Sequence, residues 1–435
     1  MKREKPAAAT ADGTVGLTWR EEARRLNQAQ GLGWREQWLV FLFAASAIAI
    51  REPDMLVNPQ FYAEGGTWYA EAYNQGWAHA LLLTGGGYLQ VFPKLVAGLS
   101  LLVPLRFAPL LMNLFGIVLQ ALPVAILLSP RCSRWGPLLV RLLMAAVYLA
   151  LPNAGEIHVV LTNAQWHLAL AACLLALANP PPTWPWRVFD VGVLLLCGLT
   201  GPFCLLLFPM TAIFWWKRRQ GWSGVLCGLL AVASVLQAAA LLRAGWQERV
   251  QGPLGATPIL LAKIVAGQVY VGALIGQNEF ASRADLPAVA VAGLIGTAVL
   301  LWCLLKCGWE LRLFILFSAT LLAAALRSPL AAGPQPQWEF LATSTGGRYW
   351  FFPMLAVSWS LIWCATQSAF KPCQIVGVMG LATMLWGEIH DWKYPPFPDE
   401  HFPQYAKKLA AAPPGTPVTI PICPEGWNIR LIKKE

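Results

Sequence analysis

The sequence predicts an all-α integral membrane protein, and three observations carry that reading: its composition, the length of its apolar blocks and the placing of its basic residues. Of 435 residues, 57% are hydrophobic and 12% charged, with a mean hydropathy of +0.52, which leaves too little polar surface to cover a soluble globule. The apolar blocks run about 15 to 25 residues without the alternation of a membrane barrel. That is the length at which a helix crosses the hydrocarbon core with its backbone groups satisfied internally. The net charge of +10 is scattered over short loops and the N-terminus, so the basic residues report topology and not a nucleic-acid partner.

Taken in order, Lys2, Arg3, Lys5, Arg20, Arg24, Arg25 and Arg35 precede the first apolar block. The positive-inside rule predicts that residues 1–36 are cytoplasmic, and the long polar stretch before the block points to a retained anchor and not a cleaved signal. Residues 37–50 are expected to cross outward, and 51–106 to form the first external loop. Within it, Leu89–Leu105 is apolar but contains Pro93 and Lys94 and is followed by Arg106. It is read as a helix lying on the outer face, because a crossing there would put Arg131 and Arg134 outside.

Further crossings are expected over 107–128, 137–153, 167–179, 188–199, 203–216, 222–242, 287–305, 313–326, 349–369 and 373–387. This makes about eleven spans in a membrane domain covering 37–388. A second surface-lying helix is expected over Ile259–Ile275, within an external region at 243–286. The tail, 389–435, is polar and proline-rich, placed outside, and Thr416–Ile422 reads as a short β element against the outer face. Most of the 10 cysteines lie inside apolar blocks as small hydrophobes. Cys303 and Cys307 have helical spacing but no histidine or carboxylate nearby in sequence, so neither a disulfide nor a metal site is expected.

Glu64 is the first candidate for chemistry. In Phe61-Tyr62-Ala63-Glu64-Gly65-Gly66-Thr67-Trp68-Tyr69 a carboxylate stands beside paired glycines, which permit a sharp turn and close approach of a bulky ligand, and aromatics with stacking faces for sugar rings. It could accept the proton of an acceptor hydroxyl, or alternatively cap the helix expected over Thr67–Ala80. Asp54 competes with it, although Arg51 three residues earlier suggests an ion pair at the membrane edge.

Glu156-Ile157-His158 and Asn163-Ala164-Gln165-Trp166-His167 put polar groups at the mouth of a span, where they are costly unless they meet partners or a ligand. A hydroxyl-rich ligand would explain them, as would an internal hydrogen-bond network. The spacing of His158 and His167 is not that of a helical metal-ligand pair. Gly346-Gly347-Arg348-Tyr349-Trp350 offers a planar guanidinium for a phosphate at membrane depth, or alternatively a snorkelling arginine in an aromatic belt. Lys94, Arg106 and Arg283 are further phosphate-binding candidates.

An acidic residue in the first external loop, surface-lying helices after it, a later external arginine and a small extracytoplasmic C-terminal piece together resemble the GT-C class of membrane glycosyltransferases. More closely, Ala63-Glu64-Gly65-Gly66, Gly87-Tyr88-Leu89-Gln90-Val91-Phe92-Pro93-Lys94, Asn163-Ala164-Gln165-Trp166 and Ile420-Pro421-Ile422-Cys423-Pro424-Glu425-Gly426-Trp427 resemble a bacterial family of that class over most of the chain. That family carries an aspartate where Gly65 stands, a histidine where Gln90 stands and an arginine where Lys94 stands.

The resemblance implies that Glu64 acts alone as base and that Arg348 anchors a lipid phosphate. Lys94, Tyr88, Asn163, Gln165 and Trp166, which stand in those motifs, are expected with Glu156, His158 and Tyr349 from the residue reading to line the substrate site. The implied reaction moves a sugar from a polyprenyl-phosphate-linked donor to a cell-envelope glycan or lipid acceptor at the outer side of the bacterial cytoplasmic membrane. A divalent cation could assist the phosphate, but no carboxylate cluster demands one. The rival expectation is a transporter or lipid flippase, for which Asp190, Gln237 and Thr200-Gly201-Pro202 are the sequence hints.

Overall fold

The computed structural model describes residues 30–155, 157–244, 252–278, 280–329, 335–343 and 347–435. Most of the expected cytoplasmic N-terminal segment, together with Glu156 and Gly346, lies outside the described residues. The chain begins with α1 (Trp34–Arg51), and the first loop holds α2 (Glu64–Gln75), a hairpin of β1 (Thr84–Gly85) and β2 (Tyr88–Leu89), and α3 (Val91–Ser100). Then come α4 (Leu105–Leu128), α5 (Leu138–Ala150), α6 (Ala164–Ala176), α7 (Trp184–Gly198), α8 (Phe203–Arg218) and α9 (Gly221–Ala244). They are followed by α10 (Pro258–Ile275), α11 (Leu286–Lys306), α12 (Trp309–Arg327), α13 (Gln337–Ala342), α14 (Gly347–Gln367) and α15 (Lys371–His390). The tail adds α16 (Phe402–Ala411) and an antiparallel hairpin of β3 (Pro417–Ile422) and β4 (Trp427–Ile432).

Among the described residues, 7 helices are long and apolar enough to cross a membrane: α4, α9, α10, α11, α12, α14 and α15. Their outward sides carry exposed leucine, isoleucine and valine, as on α11 at Leu294, Ile295 and Leu301, which water would penalise and lipid does not. The protein is therefore a multi-pass membrane protein of almost wholly helical fold. α14 is its axis: Trp350 through Ala356 are all buried, and α15 packs along it so closely that a Cβ on Gly377 would stand 2.5 Å from the Ala365 backbone nitrogen. Without a hydrophobic drive between helices in lipid, small residues of this kind bring the backbones into van der Waals contact.

α3 is only 10 residues, about 15 Å of helix, half the hydrocarbon thickness. α10, expected to lie on the surface, is by length and composition also apolar enough to cross. Its middle, Ile264–Val271, is π-helical, and Gln268 there joins it to Asn153 and to the Ala342 carbonyl.

Hydrogen bonds define the two ends of the bundle. At one end Leu32 N donates to the Leu128 carbonyl, Arg141 to the carbonyls of Leu127, Ser129 and Gly136, and Asn179 N to the Arg131 carbonyl. Arg131 donates to both oxygens of buried Asp190 at 2.8 and 2.6 Å, and Trp222 Nε1 adds a third bond at 3.0 Å. Arg218 meets Glu310 at 2.8 Å. With Arg134, Arg187, Lys217, Arg219, Lys306, Arg312 and Lys371 on the same helix ends and turns, this is the basic end. The other end gathers the first loop, the α5–α6 connection, the start of α14 and the tail.

Thr200-Gly201-Pro202, one of the carrier hints, is a hairpin joining α7 to α8, and Gly201 takes φ +79°, a turn conformation that glycine adopts without strain. Thr200 Oγ1 accepts from Phe92 N at 3.0 Å, and Gln237 brackets Leu89, accepting from its N–H at 3.0 Å and donating to its carbonyl at 3.3 Å. Asp190, Gln237 and Thr200 therefore all serve as anchors of the fold.

Candidate functional site

The tail end is organised around Arg51, the last residue of α1. Its guanidinium is fully buried and donates to the carbonyls of Leu149 at 2.8 Å, Leu151 at 3.1 Å and Asp391 at 3.2 Å. It lies 4.7 Å from the ring centroid of Tyr394 and 5.4 Å from that of Trp392, a favourable placing for a desolvated cation. The tail is thus clamped to α1 and α5 by one side chain. Asp391 Oδ2 adds bonds from Asn153 N at 2.9 Å and Gln277 N at 2.8 Å.

This corrects one expectation. Arg51 does not pair with Asp54, which is half-buried and makes no ion pair among the described residues. Burial and the nearby Asp399 carboxylate raise the Asp54 pKa. Asp399 itself is lowered, by the His401 backbone N–H first and then by the Asn58 side chain.

Glu52, which the sequence presents as one of several loop carboxylates, is 2% exposed, and its Oε2 has no hydrogen-bond partner. Burial, with help from Asp54 and against Arg51, pushes its pKa up to about 9. The carboxyl is therefore protonated in the folded protein at neutral pH and ionised in the unfolded chain. Its contribution to stability is complete below its ordinary value of 4.5 and is lost as pH rises through about 9. Glu52→Gln is expected to flatten the fall in stability across that window, measured by thermal unfolding of the purified protein at a series of pH values. An unchanged pH profile would refute the assignment.

Glu64 opens α2, half-buried, after Ala63 at φ +45°. It makes no hydrogen bond or ion pair among the described residues. The turn is stapled to the tail, since Ala63 N donates to the Cys423 carbonyl at 2.6 Å and Cys423 N to the Phe61 carbonyl at 3.1 Å. Thr162 Oγ1, at the α6 mouth, donates to the Tyr62 carbonyl at 2.9 Å.

Of the paired glycines, Gly66 is required by packing within the fold, and Gly65 lines a cleft. A Cβ on Gly66 would stand 2.6 Å from Ile422 Cδ1 and 3.1 Å from Ile429 Cγ2, and one on Gly65 would touch Thr162 and Met112. Gly66 lets α2 lie against the β3–β4 hairpin, while Gly65 faces α4 and the α5–α6 connection. Beside them a narrow cleft is lined by Gln60, Tyr62, Gly65, Asn113 and Thr162.

The α6 mouth and the start of α14 come together. The Trp166 ring lies 6.2 Å from Tyr349 and 4.9 Å from Phe203, edge to face, and Tyr349 carries Arg348 at 5.1 Å from its own centroid. Trp166 Nε1 and Gln165 Oε1 are buried without hydrogen-bond partners, and Gln165 Oε1 faces the Gly201 turn, 2.8 Å from where a Cβ there would stand. Asn163 is buried at the N-cap of α6. His158 turns the other way, towards the Arg51 cluster: its Nδ1 is 3.2 Å from both Tyr394 Oη and the Ala154 carbonyl, and its Nε2 has no partner. Burial, then Arg51 and His167, hold its pKa well below the usual histidine range, so the ring is neutral.

Lys94 and Tyr88 belong to neither group. Lys94 is 1% exposed, contacts Glu71 at 2.8 Å off the line of a hydrogen bond, and donates to the Leu83 carbonyl at 2.9 Å. It cements α3 to α2 and is not offered to a phosphate. Tyr88 is buried in the short β1–β2 hairpin beside Gln237. Lys94→Met is expected to lower stability by about 1–3 kcal/mol, because it leaves Glu71 without its cation and the half-buried Leu83 carbonyl without its donor, with no change in apparent affinity for a phosphate ligand. Thermal unfolding beside a binding isotherm checks both halves.

Sequence reasoning missed Glu52, Asp391 and Tyr394 as parts of this end. Only Glu52 had a visible signal, its place directly after a span. Among the described residues, no three histidine, cysteine, aspartate or glutamate side chains form a metal-binding group. Comparison with protein-family models, curated proteins and solved structures finds no match to the chain.

Proposed function

We propose that the protein is a GT-C-type membrane glycosyltransferase that moves a sugar from a polyprenyl-phosphate donor to a cell-envelope glycan or lipid acceptor at the outer face of the bacterial cytoplasmic membrane. In this reading the chain crosses eleven times, by α1, α4 to α9, α11, α12, α14 and α15. The basic end is cytoplasmic, and the tail is outside.

The observation that carries the reading is one-sidedness. The unpartnered buried carboxylate and imidazole atoms of Glu52, His158 and Glu388, with the half-buried carboxylates Asp54 and Glu64, belong to one end of the bundle, whereas the unpartnered atoms towards the basic end and in the middle, at Trp135, Arg218, Gln220, Ser234, Trp302 and Ser360, include no carboxylate or histidine. A carrier needs such groups near the midplane and reachable from both sides. The three features that could supply them, Asp190, Gln237 and Thr200, are consumed by Arg131, Leu89 and Phe92.

In the proposed reaction the acceptor oxygen attacks the anomeric carbon, a carboxylate takes its proton, and the lipid phosphate leaves as an anion. Neither Asp54 nor Glu64 is held by a cation among the described residues; Asp54 is taken as the base because burial and the Asp399 carboxylate raise its pKa, and Glu64, at the first turn of α2, is the second. Arg348 meets the departing phosphate, and the Trp166 donor, beside Tyr349, and the Gln165 acceptor orient sugar hydroxyls.

The test reconstitutes purified protein in vesicles with labelled polyprenyl-phosphate sugars and an acceptor extract. Label moving onto the acceptor supports the transferase. Label moving between leaflets and never onto an acceptor would replace it with a flippase.

A further inference from the structure

We propose that the basic end carries a binding site for an anionic phospholipid headgroup, formed where the end of α8 meets the turn between α11 and α12. Lys217, Arg218 and Arg219 lie at the end of α8, Lys306 closes α11, and Arg312 stands in the first turn of α12. Arg218 reaches Glu310 at 2.8 Å, so these segments are in direct contact. That bond also removes the local carboxylate. Lys217, Arg219, Lys306 and Arg312 are left without an acidic partner among the described residues.

What holds the four cations is indole. Lys217 Nζ and Arg312 Cζ lie 5.1 and 5.5 Å from the ring centroid of Trp309, Arg219 Cζ lies 4.1 Å from that of Trp216, and Lys306 Nζ lies 5.6 Å from that of Trp302. A ring face steadies an ammonium or guanidinium without occupying its N–H donors. Arg312 donates to the carbonyls of Cys307 and Leu305, whereas the side chains of Lys217, Arg219 and Lys306 make no hydrogen bond among the described residues. Like charges gathered in one patch repel one another, and a bound phosphate diester relieves that repulsion.

The apolar surroundings select a lipid as the source of that phosphate. Ile213, Trp216, Leu301 and Leu305 are exposed next to the cations, along the membrane-facing sides of α8 and α11. A free phosphate would leave this wall bare, whereas the acyl chains of a phospholipid cover it while the headgroup meets the cations. The site lies at the end opposite the proposed transfer reaction and does not depend on that reading.

The test measures lipid retained by the purified full-length protein from equimolar phosphatidylglycerol and phosphatidylcholine, by native mass spectrometry. Wild type is expected to retain phosphatidylglycerol about tenfold over phosphatidylcholine or more. The triple variant Lys217→Gln/Arg219→Gln/Lys306→Gln should retain the two equally, while Lys217→Arg/Lys306→Arg keeps the preference. The substituted side chains hold no hydrogen bonds, and the charge-preserving variant separates lost charge from lost fold. The proposal is overturned if the triple variant keeps the preference, if wild type has none, or if inorganic phosphate displaces the lipid as well as short-chain phosphatidylglycerol does.

Discussion

Replacing Asp54 by asparagine is expected to lower sugar transfer by roughly 10²- to 10⁴-fold with folding intact, the range over which a positioned base acts. The substitution is nearly isosteric, and Asp54 makes no ion pair that it would break. Glu64→Gln is the necessary companion. If Asp54 is the base, Glu64→Gln costs less than about tenfold, since its carboxylate then only faces the first turn of α2. Transfer that survives Asp54→Asn and collapses in Glu64→Gln would move the base to Glu64 and leave the reaction class standing. Transfer unchanged in both would remove general-base catalysis by the first loop. Initial rates at saturating donor, beside the thermal unfolding of each variant, separate chemistry from stability.

Arg131→Ala is expected to cost about 3–5 kcal/mol of stability, the largest loss from any single surface-loop residue, because it leaves a buried carboxylate without its cation. Asp190 is fully buried, takes both of its close bonds from Arg131 and keeps only the Trp222 indole when that side chain is gone. Adding Asp190→Asn should recover most of the loss, since the uncompensated charge, and not the absent contact, is what destabilises. Denaturant titration of the purified protein in micelles measures both. A loss under about 1 kcal/mol, or no recovery in the double variant, would contradict the assignment.

How much of this was legible in the chain differs from element to element. Helices such as α4, α9, α11 and α14 are set by composition over about 20 residues, and their ends by basic turns and by prolines and glycines, all local quantities. From local charges Leu89–Leu105 is expected not to cross, and α3 at 10 residues covers only about half the hydrocarbon thickness. For α10 the sequence leaves the placing open, because neither its length nor its composition separates a crossing helix from one lying along the surface.

The roles of individual polar residues were much less legible. Arg51 and Asp54 are close in sequence, but the guanidinium turns to carbonyls on α5 and in the tail. Gly66 makes room for the β3–β4 hairpin, more than 350 residues later in the chain by the numbering of Ile422 and Ile429. Lys94 is taken by Glu71, and Cys303 meets Cys364 at 3.8 Å across two helices.

By itself the sequence determined that this is a multi-pass helical membrane protein and, to within a few residues, where its long apolar helices lie. Lipid tolerates almost no other arrangement of so apolar a chain. Only the tertiary structure decided which of its ionisable groups are spent on holding helices together and which retain unused bonding capacity. A buried polar group is satisfied by whichever partner the packing brings within about 3 Å, and that partner comes from anywhere in the chain.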